Sequence, residues 1–239
     1  STNLNFLDAK TGELLHDVIS PYGLPDRIRT HRTENGDLQF LLGHAYLTCS
    51  STVRAWSSQA QEEMRFEKSL TPMGRSMDGW DTCGVVDFQI SPLEQNQPKR
   101  LIVLRHGAVN QLTAYDLATS EPLWDATLSS SPVALVVMPV DFTEQARCYV
   151  ADQFGGIAAF NPQGNRISSI RLDTTLQGME AGPNGTLVAW SSSMLHIIKD
   201  SRHIDSHSIT GITLGLIEIE SGLGFLSSDS SKLHFQDIT

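Results

Sequence analysis

Cysteine is scarce in this chain: Cys49, Cys83 and Cys148 are the three among 239 residues. Thiols so few and so scattered exclude a disulfide framework and a zinc site of closely spaced thiolates, and their odd number favours a reducing, intracellular compartment. Basic residues are also in short supply. Lys and Arg number 17 against 27 Asp and Glu, which gives a net charge of −10 and a pI near 5.1. Nucleic-acid binding needs a basic surface to displace phosphate counterions, so no nucleic-acid partner is expected. Long hydrophobic runs are missing. The stretch Val133 to Val140, broken by Pro139, falls far short of the roughly 20 residues that span a bilayer, so no membrane span is expected. The opening residues STNLNFLDAK carry neither a basic nor an apolar region, so no secretory signal is expected there. A G-x-S-x-G nucleophile elbow and a G-x-x-x-x-G-K-[ST] phosphate loop are absent, and Gly211 to Gly215 reads as a strand fragment.

What is present is a rhythm. A phrase of apolar strand, polar side chain, turn and second strand occurs at Asn5 to His16 and returns at Thr113 to Trp124. Looser copies run through Arg54 to Ser57, Ala158 to Gly164, His196 to Asp200 and His234 to Asp237. The polar markers Asp8, Ser57, Asp116, Asn161, Lys199 and Asp237 are spaced by 49, 59, 45, 38 and 38 residues, close to the roughly 40–50 residues of a four-stranded propeller blade. Asp or Asn before Thr-Gly or Pro-Gln-Gly accepts turn hydrogen bonds and tolerates a left-handed backbone. Further turns are expected at 34–37, 182–185, 222–224 and 228–231, and the strands between them are too short for helices. Residues 60–68 fit either a helix or an exposed outer strand.

The phrase Ala114-x-Asp116-x-x-Thr119-x-x-x-x-Trp124 resembles the A-x-D-x-x-T-G-x-x-x-W repeat of quinoprotein-type (PQQ-like) propellers. In the first copy His16 stands where that pattern has Trp. The turn Gly182-Pro183-Asn184-Gly185 and the segment from Ser228 to Asp237 are similar to WD-repeat blades. The resemblance implies an all-β fold: a β-propeller of four-stranded antiparallel blades, near 24–69, 77–128, 133–173 and 177–208. Residues 209–239 and 1–20 then form a shared or incomplete blade. Two arrangements follow, a five-bladed ring or a segment of a longer propeller completed by flanking chain or by a partner. Closure is favoured for an isolated chain, since an open arc exposes strand edges.

Several constellations invite a chemical reading. Leu101 to Gly107, ending Arg105-His106-Gly107, is similar to the opening of the histidine phosphatases. Such chemistry needs a second histidine and further arginines converging from later segments. The motif lies at mid-chain, and the chain after it lacks helical periodicity and holds only Arg147, Arg166, Arg171 and Arg202, so a strand and its hairpin are expected instead. In Arg202 to His207, strict alternation puts His203, Asp205 and His207 on one face of a strand. The two histidines would then stand about 13 Å apart, too far for one zinc, and a solvated outer strand is expected. Cys49 and Cys148 lie in apolar strands and read as inert buried thiols. The candidate recognition feature is the acidic, glycine-bearing stretch 77–84, with Asp78, Trp80 and Asp81 as candidate binding residues, because tryptophan anchors are favoured in interfaces.

No catalytic residues, no metal and no cofactor are expected. The reading is a non-catalytic propeller that mediates protein–protein interaction, as a subunit or domain of a larger complex. Residues 59–83 and 91–99 would serve as docking insertions on a rigid scaffold. The acidic balance favours a partner with basic patches. A small-ligand or glycan-binding propeller, with Trp80 as stacking platform, is the alternative. A quinoprotein enzyme fragment fits less well, because the catalytic members resemble larger, eight-bladed rings with a calcium-and-quinone site.

Overall fold

The computed structural model describes residues 2–20, 25–33, 35–44, 52–67, 84–91, 98–138, 147–182, 185–219, 222–228 and 232–237, and they form strands and turns almost throughout. Two compact units are formed, residues 1–91 with 98–129 and residues 92–97 with 130–239.

The first unit holds a hairpin and two four-stranded antiparallel meanders. Strands β1 (Thr2–Leu7) and β2 (Leu14–Ser20) make the hairpin. The first meander is β3 (Pro25–Arg32), β4 (Leu38–His44), β5 (Val53–Ser57) and β6 (Glu62–Phe66), paired in chain order. The second is β7 (Gly84–Ser91), β8 (Arg100–His106), β9 (Asn110–Asp116) and β10 (Pro122–Leu128). Residues 60–68, left open between helix and strand, contain the edge strand β6.

The second unit repeats the plan. One meander is β11 (Pro132–Met138), β12 (Arg147–Asp152), β13 (Gly156–Phe160) and β14 (Arg166–Arg171). The next is β15 (Gly178–Ala181), β16 (Leu187–Trp190), β17 (Met194–Lys199) and β18 (Arg202–Ser208). A three-stranded sheet follows, β19 (Ile212–Ile219), β20 (Gly222–Ser228) and β21 (Leu233–Asp237). Gly222 to Gly224, expected as a turn leading into a strand over Leu223–Leu226, already belong to β20, where Gly222 and Gly224 pair with Ile219 and Ile217 of β19.

Burial explains why these strands read as they do. Middle strands are apolar on both faces: Leu101, Ile102, Val103 and Leu104 of β8 are all fully buried. Final strands alternate or face water, as in β14 and β18. A sheet whose centre is covered on both sides and whose last strand is solvated must stack against neighbours face to face. Within the first unit, Leu41, Val53 and Phe66 pack with Val85, Phe88, Val103 and Tyr115 in one core. In the second, Val136, Tyr149, Ile157 and Ala159 pack with Met179, Leu187, Ala189 and Ile198. Val188, Leu195 and Ile209 meet Phe225 of β20 in a smaller cluster. Trp190 lies over Gly178, where an added Cβ would come within 2.2 Å of the indole, so only glycine fits that crossing.

Ser57, Asp116, Asn161 and Lys199 lie at the hairpins between third and fourth strands, Asp8 at the β1–β2 hairpin, and Asp237 at the end of β21. Asp116 Oδ1 accepts the amides of Ala118 and Thr119, both at 2.9 Å. Asp8 Oδ1 does the same for Lys10 and Thr11 at 2.8 Å, and those amides hold its carboxyl below the usual carboxylate range. Asn161 Oδ1 takes Gln163 and Asn165, and Ser57 Oγ takes Gln59 and Gln61. Lys199 is different. Its hairpin turns on Asp200 and Ser201, both left-handed at φ 50° and 57°, so the backbone alone makes the reversal.

Loop length decides which residue bears the left-handed conformation. It falls four residues past the marker in the Asp8 and Asp116 loops, on Gly12 and Ser120, and three past it at Ala60 and Gly164. Ser120, at φ 61°, therefore occupies a glycine's place. Ser120→Gly is expected to stabilise the protein by about 0.5–1 kcal/mol, whereas Asp116→Ala, which strands two amides, costs about 1–2 kcal/mol. Thermal and urea denaturation of the two variants check both signs.

Candidate functional site

Asp78, Trp80 and Asp81 lie outside the described residues, as do Cys49 and Cys83. The structure does describe how the segment that carries Trp80 is rooted. On its amino-terminal side, Arg105 of β8 donates from Nη2 to the carbonyl of Phe66 at 3.2 Å. Tyr115 of β9 donates its hydroxyl to the carbonyl of Glu67, also at 3.2 Å. On the other side, Gly84 opens β7 and pairs with His106. Both ends of the 68–83 connection are thus fixed to neighbouring strands of one sheet.

Arg105 is the centre of that anchorage. The guanidinium is fully buried and lies 5.3 Å from the centroid of the Tyr115 ring. Burial lowers its pKa, while Tyr115 and Asp125 favour the charged form. The Tyr115 phenol is pushed up by burial and partly restored by Arg105. Thr113 donates to Asp125 at 2.7 Å, which holds that carboxylate beside the same strands. A charged side chain this deep is tolerated because ring face, carbonyl and carboxylate replace water.

The Arg-His-Gly tripeptide is therefore structural in its setting. Arg105 points into the core, and His106 meets the Asn110 side chain at 3.1 Å, as expected for a strand and hairpin. Cys148 is a fully buried thiol whose pKa is pushed up to about 12, so it is poorly suited to nucleophilic or metal chemistry.

The histidine cluster corrects the expectation of strict alternation. Asp205 and His207 pair with Ile197 and Leu195, but the register slips at Ile204, so that His203 pairs with Ile198. This bulge turns His203 to the other face, where it meets His196, with His196 Nδ1 3.4 Å from His203 Nε2. His207 and Asp205 stay together, 3.5 Å apart. Nε2 of His196 is buried and without a hydrogen-bond partner. That nitrogen is best left as a bare acceptor, with the proton on Nδ1 directed at His203. His196 was not singled out in the sequence, because a cross-strand partner is invisible without the register. Among the described residues no group of three or more His, Cys, Asp or Glu side chains could hold a metal ion, and no helix is long and apolar enough to cross a membrane.

No protein-family model matches the chain, and no curated protein matches its sequence. Solved structures do. BBS1N, in a crystal structure of its complex with ARL6DN, is similar over 94% of this chain and 69% of its own, with a TM-score of 0.69 and 12% identity. BamB from Moraxella catarrhalis is similar over 94% of this chain and 64% of its own, at a TM-score of 0.64 and 14% identity. A protein of unknown function from Bacteroides caccae gives 0.53 and 12% identity, over 96% and 80%. The chain thus spans about two thirds of the length of BBS1N and BamB. Both are β-propellers, and this chain has the β-propeller fold.

Two outcomes follow from the buried groups. Arg105→Ala is expected to cost about 3–4 kcal/mol and to speed amide exchange at Phe66 and Glu67, while Tyr115→Phe costs about 1 kcal/mol; urea unfolding and hydrogen exchange check them. Burial and then His203 hold the His196 pKa below its ordinary 6.5. The unfolded chain therefore binds a proton that the folded chain refuses, and the stability present above pH 6.5 is lost as pH falls through the folded value. The drop in urea midpoint between about pH 7.5 and 5.5 should be smaller in His196→Gln than in the parent.

Proposed function

We propose that this propeller is a non-catalytic scaffold for protein–protein interaction, acting as a subunit or domain of a larger complex. The observation that carries the reading is the rooting of the 68–83 connection. Arg105, Tyr115 and His106 fasten both of its ends to one sheet, and loops held by a rigid scaffold are where binding function concentrates. Asp78, Trp80 and Asp81 are the binding residues of this proposal, with the indole as anchor. Three of the side chains that invite a chemical reading have structural partners: Arg105 supports a strand end, His106 pairs with Asn110, and Cys148 is sealed in the core. A propeller fold shared with BBS1N, whose structure is of a complex with ARL6DN, is compatible with docking. Completion of the β19–β20–β21 sheet, by residues 1–20 as a shared blade or by flanking chain or a partner, belongs to the same proposal. So does an intracellular setting, supported by the three scattered cysteines.

Affinity capture with the purified chain tests the reading. Trp80→Ala should fold normally by circular dichroism and retain at most about a tenth of the partner captured by the parent. Undiminished capture by Trp80→Ala removes Trp80 as the anchor. A quinone absorbance band or stoichiometric calcium in the purified protein would overturn the non-catalytic reading itself.

A further inference from the structure

One strand inverts the charge of its surroundings. In a chain of net charge −10, β3 carries Arg27, Arg29, His31 and Arg32 against one carboxylate of its own, Asp26. Arg27, Arg29 and His31 alternate onto one face of the strand. Next to them is a cleft of about 240 Å³ lined by Arg29, Thr30, Gln89 and Ile90, between β3 and β7. Arg27 Nε and Arg29 Nη2 share one carboxylate, Asp87 of β7, at 3.8 and 3.4 Å. Asp87 is 11% exposed in its side chain and also accepts the Phe88 amide. Both arginine side chains remain nearly half exposed, at 49% and 46%. The exposed Lys99 is near enough to His31 to help burial hold that imidazole below its ordinary pKa. One buried carboxylate therefore faces two guanidinium groups, and both arginines turn part of their side chains to solvent.

The geometry points to this cleft as the docking site for an extended, acidic polypeptide segment of a partner protein, with its carboxylates on Arg27, Arg29 and Lys99. Residues two apart on an extended strand are about 6.7 Å apart. An acidic residue at every second position of an extended segment thus repeats at the pitch of Arg27 and Arg29. Each guanidinium can offer its outer N–H edge to a second carboxylate while the first stays on Asp87. Ile90 in the lining gives the segment apolar contact. A nucleic acid would bring a phosphate at every step toward a chain of strongly negative net charge, whereas a short acidic segment brings few charges and a matching pitch. This inference rests on the scaffold reading, and it assigns that scaffold a second surface with the opposite charge preference from the one expected of the whole chain.

Fluorescence anisotropy with the full chain tests it, using a labelled peptide of alternating Glu and Ser. Comparison probes are its Gln–Ser counterpart and an oligothymidine of equal length. The acidic peptide should bind at least about tenfold more tightly than the Gln form, with a preference that shrinks as salt is raised. Arg27→Gln leaves Arg29 on Asp87, and Lys99→Glu leaves both arginines in place. Each should weaken binding about three- to tenfold without changing the circular dichroism melt. Equal binding of the two peptides, binding unaffected by either variant, or tighter binding of oligothymidine would each overturn the cleft as an acidic-segment site. The scaffold reading is scored separately: partner capture that persists while the peptides bind equally removes this site alone. Peptide preference without Trp80-dependent capture keeps the cleft and removes the recognition loop.

Discussion

The structure depends on a short bond made many times: a side-chain oxygen at the end of a strand accepting amides of the turn that follows. Asp8, Ser57, Asp116 and Asn161 each place an oxygen over two such amides. Asp152 applies the device between β12 and β13, where its Oδ1 takes Phe154 and Gly156. Turn amides cannot be satisfied by the ladder they interrupt, so each hairpin needs a local acceptor or water. With the reversals fixed locally, the strands on either side are free to be apolar through their centres. The sheets can then stack without any helix to cover them.

That logic explains how much was legible in the sequence. Asx and Ser turns are local chemistry, and their spacing is readable, so the all-β architecture and the hairpins at Asp8, Ser57, Asp116 and Asn161 could be read directly. Lys199 was a marker by position alone; Asp200 and Ser201 make the reversal through backbone conformation, for which Lys199 supplies no acceptor. What alternation cannot foresee is a slip. The extra residue Ile204 sends His203 across the sheet to His196, and no pattern in Arg202 to Ser208 announces it.

Charge was the second blind spot. Arg105 ends an apolar run and looks like the edge of a strand, yet it is as buried as the leucines before it, because its partners come from residues about 40 positions earlier and 10 later. Arg27 and Arg29 meet Asp87 across some 60 residues of chain. A net charge of −10 gave no hint of a positive seam, since whole-chain charge averages away what a single strand face concentrates. The candidate residues Asp78, Trp80 and Asp81 fall outside the described residues, and what the structure contributes there is the pair of anchored roots.

The sealed thiol of Cys148 has a use of its own. With its proton held until about pH 12, it presents almost no thiolate to solvent near neutrality, and its neighbours on β11 and β13 shut out reagent. Alkylation of this position in the native protein must wait for the sheet to come apart. Its labelling rate at fixed reagent is therefore a stopwatch for the breathing of that sheet, already built into the unaltered chain.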